Sequence, residues 1–224
     1  MNAIANFNPI NLNTSDLNPY SSRFVSPPTC TFIQDPTTEI NPDEIVKQLT
    51  QSRCLQIVGP HGCGKTTLAI QIAKNMRHTC KQIRTVTIQP NRDWGSLPKI
   101  FAQPVFSQTS QRPLCHSNYD DRLSSFELTI VDGMELLPAA IRFCLVQSLK
   151  RSQGCAIFTV HRPTWLVRSR ITLKPSFQQF RRIATNLTAQ SAYQPSEELL
   201  QAVYSRSGGN YRDATSLLYD EFAA

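Results

Sequence analysis

Gly59-Pro60-His61-Gly62-Cys63-Gly64-Lys65-Thr66 satisfies the spacing G-x-x-x-x-G-K-[ST] at every defined position, and Thr67 continues it. The residue types explain the spacing. Glycines let successive backbone N–H groups converge on anionic oxygens without a Cβ in the way. A helix starting at the end of the loop adds the positive end of its dipole. Lys65 is the residue expected to reach the outer oxygens of a bound triphosphate, and Thr66 carries a hydroxyl suited to a hard divalent cation. The flanks agree with this reading. Cys54-Leu55-Gln56-Ile57-Val58 predicts a buried strand before the loop, and Thr67-Leu68-Ala69-Ile70-Gln71-Ile72-Ala73 predicts a helix after it. His61 and Cys63 are expected to be loop residues first. A redox brake on the loop through Cys63 is the less favoured reading.

Outward from the loop, the pattern alternates between strands and helices. Asn41-Pro42-Asp43-Glu44 reads as a helix start, with Ile45, Val46 and Leu49 as the apolar face. Strands are predicted from Gln82 to Ile88, over Leu128-Thr129-Ile130-Val131, over Ala156-Ile157-Phe158-Thr159-Val160, and at Arg170-Ile171-Thr172-Leu173. A helix is predicted from about Pro138 to Lys150, while residues 91–123 are weakly patterned. After Pro175 the pattern is helical, over about 177–188, 196–206 and 210–222, with Gly208-Gly209 separating the last two and Asn210 as a cap. The fold class is therefore α/β: a three-layer parallel sheet core, residues 23–175, with a small C-terminal helical lid, residues 176–224. Residues 1–22, rich in asparagine, are expected to form an irregular arm whose aromatic end lies against the domain.

Asp132 ends an aliphatic strand, which places its carboxylate at the carboxyl edge of the sheet, where ligands of open α/β sheets bind. With Thr66 it is the expected pair for Mg²⁺. Glu135, three residues on, is the candidate for orienting an attacking water. His161 and Arg162 close the next predicted strand, Ala156 to Val160. The Gln82–Ile88 run is expected to lie between the loop strand and the Asp132 strand, so that His161 or Arg162 contacts the terminal phosphate.

Together these residues resemble the additional-strand class of P-loop ATPases that includes the AAA+ and STAND proteins. Val131-Asp132-Gly133-Met134-Glu135 and Phe158-Thr159-Val160-His161-Arg162-Pro163 resemble elements of NACHT domains, the second displaced by one inserted residue. Ser207-Gly208-Gly209-Asn210-Tyr211-Arg212 resembles the G-G-N-x-R lid element of AAA+ and secretion-type ATPases, which implies that Arg212 senses the γ-phosphate. Asn18-Pro19-Tyr20 to Phe24 resembles an N-P-F lead-in that borders the adenine site. The resemblance implies ATP as ligand, Mg²⁺ as cofactor, and a nucleotide switch. The sequence departs from the class in having no Asp-Glu pair at Asp132 and no evident arginine-finger segment, and no winged-helix or sensor-repeat domain is expected after the lid.

The absence of an N-K-x-D motif disfavours a GTPase. The order of Ser207-Gly208-Gly209 after Asp132 disfavours an ABC ATPase. Two alternatives to an ATPase stay open: a non-hydrolysing nucleotide-dependent adaptor, and a small-molecule phosphotransferase using Arg168, Arg170 or Arg181 as clamps. The chain has 224 residues and a net charge of +7, which favours acidic partners. Between Leu136 and Ser196 there is no acidic residue, only Arg142, Lys150, Arg151, Arg162, Arg168, Arg170, Lys174, Arg181 and Arg182. That stretch suits an acidic protein partner or, with less support because aromatic residues are sparse, nucleic acid. Seven widely spaced cysteines argue against a disulfide scaffold or a zinc site. No secretory signal or membrane span is evident, so a cytoplasmic protein is expected.

Overall fold

The computed structural model describes residues 18–22, 24–35, 42–77, 80–88, 126–151, 154–189, 191 and 193–223. The expected cap at Asn41, the whole of the weakly patterned 91–123 stretch and most of the N-terminal arm lie outside them. In chain order the elements are α1 (Pro42–Ser52), β1 (Cys54–Val58), α2 (Lys65–Asn75), β2 (Cys80–Thr87), β3 (Phe126–Asp132), a 3₁₀ turn (Met134–Leu136), α3 (Ala139–Arg151), β4 (Cys155–Val160), β5 (Ser169–Thr172), α4 (Phe177–Leu187), α5 (Glu197–Arg206) and α6 (Tyr211–Ala223). No helix among the described residues is long and apolar enough to cross a membrane.

The five strands form one parallel sheet in the order β2-β3-β4-β1-β5. This corrects one expectation. The strand between β1 and β3 is β4, while β2, among the described residues, pairs only with β3 and lies at the edge. Composition gives the reason. Every residue of Cys155-Ala156-Ile157-Phe158-Thr159-Val160 is buried, as a central strand covered on both faces requires. Cys80 to Thr87 carries Gln82, Arg84 and Thr87, with both ends of the strand reaching solvent at Gln82 and Thr87, as suits an edge strand.

Strand alternation sorts the core into two layers. Leu55, Ile57, Leu128, Ile130 and Ile157 point to the face covered by α1 and α2, through Ile45, Leu49, Leu68, Ala69 and Ile72. Val58, Val131, Ala156, Phe158 and Val160 point to the opposite face, where Leu145, Val146 and Leu149 of α3 pack. The link from β4 to β5 contains no helix. Residues 161–168 run back across that second face, and Leu166 and Val167 are buried in its cluster. Gln56, at 1% exposure, fixes this link: its amide donates to the carbonyls of Thr164 at 3.0 Å and of Val167, and its carbonyl accepts from the Thr164 N–H at 2.9 Å.

The lid has its own core, built from Phe180, Ala184, Leu200, Val203, Tyr211, Ala214 and Leu218. Ser176 and Ser196 cap α4 and α5 by accepting from the N–H groups of Gln179 and Leu199. Tyr20 is buried in the same cluster, and the Asn18 side chain donates to the Tyr219 carbonyl at 2.9 Å. The aromatic end of the N-terminal arm thus lies against the lid.

Replacing Gln56 with Leu keeps the volume but leaves two buried carbonyls and one N–H without partners. The expected cost is about 3 kcal/mol, since each orphaned group costs roughly 1–3 kcal/mol. It is checked by the shift of the urea midpoint at unchanged m-value.

Candidate functional site

The carboxyl edges of β1, β3 and β4 lie side by side, because the register pairs Val58 with Val160 and Asp132 with Thr159. The Gly59–Thr66 loop, Asp132, the 3₁₀ turn and His161 therefore leave the sheet together. They open on one cavity of about 410 Å³, which the lid closes with Tyr211, Arg212 and Thr215 and the lead-in segment closes with residues 25–33. That size lies within the range of small-molecule sites.

Lys65 opens α2 and is 8% exposed. Its ammonium donates to the carbonyls of Gly59 at 2.9 Å and Pro60 at 2.6 Å, and lies 3.2 Å from His161 Nδ1. Burial pulls its pKa down from the ordinary lysine value. Cys63, Glu135 and Asp132 oppose this, and Arg212 adds to it. The neighbouring Thr66 hydroxyl lies 3.2 Å from both carboxylate oxygens of Asp132. Thr159 donates a short hydrogen bond to the same carboxylate and accepts the Gly133 N–H at 3.3 Å.

Gly133 has φ +82°, a backbone turn that an L side chain rarely adopts, and Ile88 crowds it. A glutamate at that position would be strained. The carboxylate arrives instead from the 3₁₀ turn: Glu135 Oε1 lies 2.9 Å from His161 Nε2, and Glu135 Oε2 is buried without a hydrogen-bond partner among the described residues. His161 thereby joins Lys65 to Glu135, and its ring packs on that of His61 with centroids 3.6 Å apart. Burial lowers the His161 pKa from 6.5, and Lys65 and His61 add to the effect, while Glu135 and the Gly59 carbonyl oppose it.

Of the residues singled out in the sequence, His61, Gly62, Cys63, Gly64, Lys65, Thr66, Thr67, Asp132, Glu135, His161 and Arg212 all line the cavity. Gly59 and Pro60 contribute the carbonyls that hold Lys65. Arg162 is not brought there: it is exposed, one residue beyond His161. Cys63 is 2% exposed, and burial pushes its thiol pKa up, which suits a packed residue better than a reactive one.

Three participants are not among the candidate site residues read from the sequence. Thr159 is brought to Asp132 by strand register alone, and only knowing that β4 adjoins β3 would have revealed it. Asn210 caps α6, accepting from the Arg212 N–H at 3.0 Å, and also reaches the loop. A Cβ placed on Gly62 (φ +67°) would stand 1.6 Å from Asn210 Oδ1. Phe32 lies over Gly64. Its segment is tied to the lid by Gln179, whose amide donates to the Ile33 carbonyl at 2.6 Å, and by the Ser176 hydroxyl, which donates to Asp35. It is also tied to α2 by Lys74, which donates to the Pro28 carbonyl at 3.1 Å.

No family model matches the sequence, and no curated protein matches it. Solved structures do. A RuvB mutant from Thermotoga maritima superposes with a TM-score of 0.51 at 15% identity, over 80% of this chain and 62% of that one. Domain III of the Thermotoga maritima replication initiation protein DnaA gives 0.51 at 15% identity, over 81% and 82%. PCH-2 of C. elegans gives 0.50 at 13% identity, over 86% and 70%. This chain thus spans less than two thirds of the RuvB chain. At these identities the likeness establishes the fold alone: an α/β protein with a five-stranded parallel sheet among the described residues, similar to the AAA+ fold of these structures.

His161 is kept neutral by its surroundings, so below about pH 6.5 the unfolded chain takes up the proton more readily than the folded one. Stability is therefore expected to rise with pH across the window from the depressed folded value to about 6.5, and to be flat with respect to this group above it. Urea midpoints of the native protein and His161→Asn from about pH 5 to 7 check this, the variant showing the shallower slope.

Proposed function

We propose that this chain binds ATP with Mg²⁺ in the cavity between core and lid and hydrolyses it to ADP and phosphate, acting as a nucleotide switch. The observation that carries the proposal is the convergence on one cavity of Lys65, Thr66, Asp132, Glu135 and Arg212, which come from three widely separated stretches of the sequence. The AAA+-like fold supports it.

The backbone N–H groups from Gly62 to Thr66 and the first turn of α2 bind the phosphates, and Lys65 places its charge against the outermost ones. Thr66 and Asp132 offer a hydroxyl and a carboxylate facing each other, the hard oxygen donors that suit Mg²⁺, which supplies positive charge to the β- and γ-oxygens when bound. Glu135 is the group to orient and deprotonate the attacking water, and its Oε2, without a partner among the described residues, has the free lone pairs to do so. Arg212, in the first turn of α6, brings a cation from the lid to the phosphate end of the cavity and links occupancy to lid position. Arg162, being exposed, has a role only if the β4–β5 link moves. In this reading residues 23–175 are the nucleotide-binding core, 176–224 the lid, and 1–22 an arm anchored to the lid at Tyr20.

A second reading, an adaptor that binds ATP without turning it over, is favoured by one observation: His161 already holds Glu135. Phosphate release by the purified protein separates the two. Under the ATPase reading Lys65→Ala abolishes both binding and release, whereas Glu135→Gln keeps ATP binding within about threefold and lowers release at least 100-fold. Tight binding without release by the native protein decides for the adaptor. Arg212→Ala is expected to weaken ATP at least tenfold and ADP much less; equal losses would remove Arg212 from the sensing role.

A further inference from the structure

The basic stretch from Leu136 to Ser196 divides in the folded chain. Arg181 pairs with Glu197 at 3.4 Å, and Arg182 donates to the Gln34 carbonyl at 3.0 Å, so both serve lid contacts. Arg151, Arg162, Arg168, Arg170 and Lys174 are exposed, and none of them forms an ion pair with a described residue. Several of these share one side of the sheet. Arg170 is in register with Gln56, so its side chain leaves on the face crossed by residues 161–168. Arg168 belongs to that link, and Arg151 ends α3, which covers the same face. Beside Arg151, the Lys150 ammonium donates to the Leu166 carbonyl at 3.3 Å and joins α3 to the link.

Trp165 stands among these cations, 82% exposed. An indole so displayed on a loose loop would be unremarkable, but this loop is fixed on both sides of it. Gln56 holds Thr164 and Val167, and Leu166 and Val167 are buried. The ring is thus presented by a rigid mount. Phe143, 45% exposed, lies on the Lys150 stripe of α3, about 10 Å away along the helix. The face carries cations without anions, together with flat aromatic surface, in a span with no acidic residue.

We propose that this face, centred on Trp165 and bounded by Lys150, Arg151, Arg168 and Arg170, binds single-stranded nucleic acid. The phosphates would lie along the cations, and a base would stack on the indole. Two features favour this over an acidic protein. A face of one sign matches a partner whose charge repeats regularly, whereas protein interfaces mix signs and deplete lysine. A projecting indole, 82% exposed, offers a stacking plane rather than a hydrophobic seat. The site is separate from the nucleotide cavity, which none of these residues lines.

The test uses the full chain, with tryptophan fluorescence and anisotropy of labelled oligo-dT, oligo-dT duplexed with oligo-dA, and polyglutamate, over a salt series. Oligo-dT is expected to bind best and to quench Trp165. Trp165→Ala is expected to weaken binding about tenfold or more, with Trp165→Phe recovering part of the loss. Arg168→Gln and Arg170→Gln are each expected to reduce the slope of log K against log salt by roughly 0.7. All three residues changed here are exposed, and ATP binding serves as the control for folding, expected to be unchanged. Oligo-dT binding that is insensitive to Trp165→Ala overturns the proposal. So does polyglutamate binding as tightly as oligo-dT, which would assign the face to an acidic protein, and so does the absence of oligo-dT binding.

Discussion

Placing β4 between β1 and β3 is the constraint from which the site follows. A parallel strand in that position brings three carboxyl edges together, and each delivers one chemical element: the glycine loop, the Asp132 carboxylate, and the Thr159–His161 pair. Because β4 is buried on both faces, a slip of one residue would move Ile157 and Phe158 each into the opposite, differently packed layer of the core. The hydrophobic core therefore fixes the distance between Thr159 and Asp132. Side-chain chemistry at the edge inherits its accuracy from packing below it.

Within that frame the polar groups form a continuous chain. Thr66 meets Asp132, Thr159 steadies Asp132, Lys65 approaches His161, and His161 holds Glu135. Buried charges are tolerated here because they neighbour one another. The separation of duties between Asp132 and Glu135 comes from the backbone. Gly133 turns the chain out of β3, and the 3₁₀ turn returns it one step further round the cavity.

Much of this was legible in the sequence because it is local. The glycine loop, the strand over Cys54–Val58, the two capped lid helices and the strand-end Asp132 are each written in neighbouring residues. Strand order is not local, and there the reading placed the 82–88 run where β4 belongs, although the contrast between an all-buried strand and one with Gln82 and Arg84 carried the correct answer. Thr159 was hidden for the same reason. Arg162 illustrates the opposite error: adjacent to His161 in sequence, it faces outward because the chain turns between them. The basic span looked uniform as text, yet folding assigned Arg181 and Arg182 to the lid and left a cationic face around Trp165.

The contact of Asn210 with Gly62 has a consequence of a different kind. One side chain both starts the last helix and rests against the loop at a place where no Cβ fits. Loop shape and lid attitude are then coordinates of a single equilibrium. Reciprocity requires that if occupancy of the loop shifts the lid by some factor, anything that grips the lid shifts the loop's affinity by the same factor. Such a protein can be read in either direction, as a ligand reporting through the lid or as a partner on the lid setting how tightly the ligand is kept.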